Sequence, residues 1–248
     1  MRALTKGFIK RKNTSELIHG LVRLALPLIV FGFVSIGLSF LAYGVIFLSK
    51  WRVLWVKSRY WLINLKSNTV DIIVGLSFVS LMSNTDVLSD LHILAAFIGW
   101  TVLLRTKSKP LWMALQAVTA QFFGVLAIFY AFSPPSITVS VLGVWFVSYF
   151  SAVHVLNIGE GDVRSPLAHV WGLFSMQLAW VLSHWQIWYS FIPQIALILT
   201  VLFGSLTALL LLHRHNAASS QTLRQISVSA GIIIVAILIL SDWQDKTI

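Results

Sequence analysis

The sequence contains no cysteine. Thiol nucleophiles, disulfides, cysteine-ligated zinc and iron–sulfur clusters are therefore excluded. Charge is also scarce. Only 10% of the 248 residues are charged, and Asp and Glu together number 8. A soluble domain carries about 25% charged residues to keep its surface wet, so this chain lacks the means to cover itself in water. The ~10-residue alternation of polar and apolar positions that marks a membrane β-barrel is missing as well.

What remains is apolar. Hydrophobic residues make up 58% of the chain, and the mean hydropathy is +0.85. Runs near the ~20 residues that cross a bilayer recur over 24–48, 69–83, 87–104, 110–132, 136–156, 166–184, 189–213 and 225–241. These runs predict an all-α, polytopic helical membrane protein. Residues 1–23 read as a basic tail, and 24–248 as one integral membrane domain. Within it, 49–68 is the longest piece between apolar runs.

The net charge of +10 is concentrated, because eleven of the eighteen Lys and Arg fall within the first 66 residues. The segment 49–68 interleaves Lys50, Arg52, Lys57, Arg59 and Lys66 with Trp51, Trp55, Tyr60 and Trp61. Aromatic rings settle at headgroup level, and long basic chains reach up to phosphates. We read 1–23 and 49–68 as surfaces for anionic headgroups, with the lipid bilayer as partner and no nucleic acid.

Sidedness follows from the same residues. If all eight runs cross, the two basic segments lie on opposite sides and neither side collects the positive charge. If 24–48 does not cross, seventeen Lys and Arg share one side and only Lys246 lies on the other. The positive-inside rule therefore favours seven full spans plus a re-entrant or interfacial first segment over eight spans. It places the protein in the cytoplasmic membrane with its C-terminus outside. Pro27, Gly32, Gly37 and Gly44 offer places for a bend in the first segment.

Packing between spans calls for small residues four apart and for amides that bond across helices. Ala168 with Gly172, Ser175 with Ala179, and Gly204 with Ala208 fit the first requirement. Gln116, Gln121, Gln177 and Gln194 fit the second. The run 183–189, Ser-His-Trp-Gln-Ile-Trp-Tyr, reads as an outer aromatic belt.

One stretch has unusual chemistry. His154-Val-Leu-Asn-Ile-Gly-Glu-Gly-Asp-Val-Arg-Ser-Pro-Leu-Ala-His169 sets two histidines around Glu160 and Asp162. Asn157, Gly159 and Gly161 are turn residues, and Ser165-Pro166 is a helix start, so a tight cytoplasmic turn accounts for the sequence. The same residues offer His154, Glu160, Asp162 and His169 as a divalent-metal donor set. The histidines His92, His154, His169 and His184 lie at two depths, as axial ligands of two haems would. The turn explains the residues without either, so no cofactor is expected.

Gly159-Glu160-Gly161-Asp162-Val163-Arg164 resembles the Gly-x-Gly-Asp segment of prepilin peptidases, which are membrane aspartyl proteases. The resemblance spans about six residues and departs from the family at Glu160, where an apolar residue is usual. It implies that Asp162 is one catalytic aspartate, with Asp71 as the partner on the same side. Two such carboxylates sharing a proton would act as general base and acid on a water. The two functional expectations are a structural, assembly or carrier role without a catalytic motif, and this protease.

Overall fold

A computed structural model describes residues 24–51, 57, 60–84, 87–104, 109–131, 136–156, 164–184, 188–189 and 192–241. Among them the chain is almost wholly helical. The helices are α1 (Leu24–Ser35), α2 (Ser39–Leu48), α3 (Trp61–Ser83), α4 (Val87–Gly99), α5 (Pro110–Ala131), α6 (Ile137–Leu156), α7 (Arg164–Ser183), α8 (Gln194–Arg214) and α9 (Ser220–Leu240). A π-helical turn, Trp100–Leu104, continues α4.

Local chemistry sets most of the ends. Pro110 opens α5, where its missing N–H leaves nothing unpaired. The Ser219 side chain caps α9 by accepting from the Thr222 amide. Asn216, at φ 52°, ends α8; the Ala217 amide then donates back to the Leu212 carbonyl at 2.9 Å. The basic tail 1–23 lies outside the described residues. Most of the segment 49–60 also lies outside the described residues, and from Trp61 the segment is helical as part of α3.

The first apolar run is not one helix. Gly37 sits at φ +77°, and the amides of Gly37 and Leu38 donate to the carbonyls of Val34 and Phe33 at 2.9 and 2.8 Å. This is the glycine-terminated helix end that only a residue without Cβ adopts freely. The run is thereby divided into pieces of ~18 and ~15 Å, each too short to cross ~30 Å of hydrocarbon. α2 then runs antiparallel along α3. Ser83 donates to Ser39 at one end, Ile46 lies against Gly75 midway, and Lys50 meets Asp71 at the other end.

The expected count of seven or eight full spans is not supported. Among the described residues, four helices, α5, α6, α8 and α9, are long and apolar enough to cross a membrane. The other runs fall short for identifiable reasons. α3 is apolar over Asn68–Ser83, its unbroken stretch of described side chains, which is shorter, and His169 and Gln177 dilute α7. α4 is 13 residues long before the π turn. The chain also departs from all-α at one point. Trp188–Tyr189 and Ile192–Pro193 form a two-stranded antiparallel ladder where part of the aromatic belt was expected. Pro193 is extended (ψ 131°) and starts α8 only at the next residue.

The core lies where α3, α5 and α6 meet. A Cβ on Gly124 of α5 would come within 2.6 Å of Val147 on α6 and 3.1 Å of Ile73 on α3. α6 and α7 form the closest helix pair. Ala168, Ser175 and Ala179 are fully buried along α7, and Gly172 packs against Trp145 and Tyr149. Gly204 is different, since its nearest neighbour, Val118, stands 3.9 Å from a built Cβ. Buried amides bond between helices, as in Gln121 to Ser148 (2.9 Å) and Gln194 to Ser241 (3.2 Å). Gln177 departs from this pattern and lies exposed on the outer face of α7. α9 packs on α8, and only 11% of its apolar window is buried. Its exposed Ile232, Ile233, Val235 and Ile239 form a face suited to acyl chains.

Candidate functional site

The densest polar group in the structure joins α3, the π turn, α5, α6 and the residues after α2. Asn68 and Asp71 lie three apart on α3, hence on one face. Lys50, just past α2, donates to the Asn68 side-chain carbonyl at 3.1 Å and forms a short ion pair with the Asp71 carboxylate. The two ionised side chains are largely withdrawn from solvent, at 13% and 20% exposure.

Gln116 of α5 forms the second half of the group. Its Nε2 donates to the Leu104 carbonyl at 2.5 Å, the last carbonyl of the π turn, where wider i→i+5 winding displaces the backbone groups. A carbonyl can only accept, so the amide orientation is fixed. Gln116 Oε1 must then accept from His154 Nε2, 3.0 Å away. His154 therefore carries a hydrogen on Nε2. Asp71 stands close enough to act electrostatically on the same ring.

The sequence-derived candidates divide. Asp71 and His154 are brought into one neighbourhood. Glu160 and Asp162 lie outside the described residues, so the structure does not address their part in the metal set or the carboxylate pair. His169 goes elsewhere, with its ring against Tyr149 of α6 at a centroid distance of 4.6 Å. Tyr149 and His154 are five residues apart on α6, about 140° around the helix, so the two histidines belong to different sides of α6. Among the described residues, no three His, Cys, Asp or Glu come together to hold a metal ion. Two of the histidines read as axial ligands have protein partners. His184 Nδ1 bonds to the Trp180 carbonyl of its own helix at 2.7 Å, while His154 is engaged by Gln116.

Comparison with family models, curated proteins and solved structures finds no match to the chain. The prepilin-peptidase resemblance therefore rests on its six residues.

Sequence reading missed Lys50, Asn68 and the Leu104 carbonyl. Lys50 looked like one more interfacial basic residue among five. The available signal was the Asn68/Asp71 spacing, because an acid and an amide on one helix face at a span mouth require a donor.

Proposed function

We infer that the chain is a multi-span integral membrane protein of the cytoplasmic membrane whose role is structural or in assembly, within the wider structural, assembly or carrier class. The observation that carries this reading is the closure of the polar group on itself. Lys50 holds both Asn68 and Asp71, while Gln116 joins His154 to the π turn. A buried set in which each member holds another fixes the mutual position of helices. A carrier needs polar groups turned toward a passage, whereas these are turned toward one another. The basic segments 1–23 and 49–68 would hold anionic headgroups at the membrane surface.

For the fold, the reading is seven crossings, with α1 and α2 as a re-entrant pair. α3 and α7 have 23 and 20 residues, or ~35 and ~30 Å, which is enough to cross. The short links between α3 and α7 favour antiparallel neighbours. Single cysteines placed at Ser15, Ser58 and Thr247 of this cysteine-free chain test the topology. The expected result is labelling of Ser15→Cys and Ser58→Cys from one side and Thr247→Cys from the other. Labelling of the first two from opposite faces would remove the re-entrant pair.

One observation favours the protease as a second reading. Asp71 acts electrostatically on His154, which lies six residues before Glu160 and eight before Asp162 in the sequence. The test uses purified protein in proteoliposomes with a prepilin-like substrate, together with elemental analysis. The expected result is no cleavage, no stoichiometric metal, and an unchanged folded yield for Asp162→Asn. A solvated turn carboxylate contributes only ~0–1 kcal/mol. Cleavage abolished by both Asp71→Asn and Asp162→Asn would establish the protease instead. Metal lost on both Asp162→Asn and His169→Ala would establish the donor set.

A further inference from the structure

α6, α7 and α8 enclose an apolar groove of about 480 Å³, lined among others by Ala152, Leu156, Trp171, Phe174, Phe203 and Leu210. The volume lies within the ~300–1,000 Å³ of small-ligand sites. The rim residues Leu167, Val170 and Leu206 are exposed, so in a membrane the groove opens to the acyl phase.

Two hydrogen-bond donors mark this groove as more than a packing gap. Trp171 is 8% exposed, stacks on Phe203 with ring centroids 5.4 Å apart, and has a buried indole N–H with no partner. Arg214 follows Leu210, the last lining residue on α8, by one turn on the same face. Its Nη2 donates at 3.3 Å to the carbonyl of Leu156, one of the carbonyls left open where α6 ends. Its Nη1 is buried and unpartnered. Indole N–H and guanidinium are donors only, so both are satisfied only by a molecule that brings acceptors. An unpaired buried donor is costly.

The donors also stand in sequence along the groove. Phe203, against which Trp171 stacks, lies eleven residues before Arg214, or ~16 Å along α8. The Arg214 side chain leans back toward the start of its helix and shortens that gap. A cation at the mouth, a neutral donor deeper, and apolar walls around it match the order of groups in a diacyl lipid: phosphate, ester carbonyl, acyl chain. A fatty acid has its only acceptors at one end, and an isoprenyl phosphate has no carbonyl below its phosphate.

The geometry points to a binding site for one anionic glycerophospholipid, with its phosphate on Arg214, an ester carbonyl on the Trp171 N–H and an acyl chain in the groove. The site is independent of the Lys50–Asp71 group, which lies among α3, α5 and α6. It therefore stands or falls separately from the structural role proposed above.

Native mass spectrometry of the full chain, delipidated and titrated with phosphatidylglycerol, tests it. Wild type should retain one phosphatidylglycerol and release phosphatidylcholine more readily. Arg214→Met should weaken phosphatidylglycerol binding about tenfold, the scale of a lost hydrogen bond to a charged group. Arg224→Gln on the exposed face of α9 should leave it unchanged. Trp171→Phe keeps the ring against Phe203 and removes only the N–H. It should bind ester- and ether-linked phosphatidylglycerol alike, whereas wild type prefers the ester. This arm holds even if Arg214→Met fails to fold. Equal affinity of wild type and Trp171→Phe for both linkages would overturn the site. So would undiminished binding to Arg214→Met, or stronger retention of an isoprenyl phosphate than of phosphatidylglycerol.

Discussion

Lys50→Met should lower the stability of the protein by about 3 kcal/mol, and adding Asp71→Leu should restore most of it. The single substitution leaves a carboxylate without its cation in a place largely closed to solvent. Breaking one partner of a buried pair costs ~3–5 kcal/mol, whereas replacing both by apolar groups is often close to neutral. With the pair at 13% and 20% exposure, the lower end of that range applies. Asp71→Leu alone should also destabilise, since it strands the Lys50 ammonium. The loss should be smaller, because the long lysine stem can swing its charge toward the headgroups. Equilibrium unfolding of the four proteins in mixed micelles, followed by tryptophan fluorescence, gives the coupling between the two positions. A Lys50→Met stability within about 0.5 kcal/mol of wild type would identify a solvated pair of the kind that contributes little. The cluster could not then be what fixes α2 against α3.

This pair also shows what could be read from sequence and what could not. The helical membrane class was legible because apolar runs announce themselves one residue at a time. The break in 24–48 was legible as a possibility at four positions. Only packing selects Gly37, because a positive φ is a property of the folded backbone and not of the residue alone. The number of crossings was not legible for a related reason. An apolar run signals burial, and burial against protein looks the same as burial in lipid until neighbours are known. α3 is the example: Thr69, Ser77 and Ser80 are buried inside the protein although the run around them is apolar.

The site was half legible. Asp71 and His154 stood out as ionisable residues at the ends of apolar runs, where such residues call for partners. Their actual partners are Lys50, Gln116 and a backbone carbonyl. Lys50 had four equivalent neighbours in its segment, Gln116 was one of four glutamines read as helix glue, and a carbonyl has no sequence signature. Gln177 failed in the opposite direction. An amide in an apolar run predicts a partner helix, yet its side of α7 is the exposed one, because Ala168, Gly172 and Ser175 already commit the other side to α6.

Gly124→Ala should destabilise the protein by about 2 kcal/mol although alanine is the better helix former. Glycine to alanine inside a helix ordinarily gains up to ~1 kcal/mol. At Gly124 the added carbon would lie 2.6 Å from Val147 Cγ1, 3.0 Å from Val147 Cγ2 and 3.1 Å from Ile73 Cγ2. Both neighbours are β-branched and stiff, and they come from two different helices. Neither can move aside without shifting α3 or α6, and forcing a methyl into a close-packed core costs ~1–3 kcal/mol. Gly231 of α9 supplies the contrast, since nothing lies within 4 Å of a Cβ built there. Gly231→Ala should therefore be neutral or stabilising, so the same chemical change has opposite signs at the two positions. Val147→Ala added to Gly124→Ala removes both of the closest carbons. The double variant should unfold closer to wild type than the two single effects summed would place it. Thermal unfolding in detergent separates these outcomes. If Gly124→Ala matches or exceeds wild type in stability, the α3–α5–α6 crossing is looser than the backbone separation there requires.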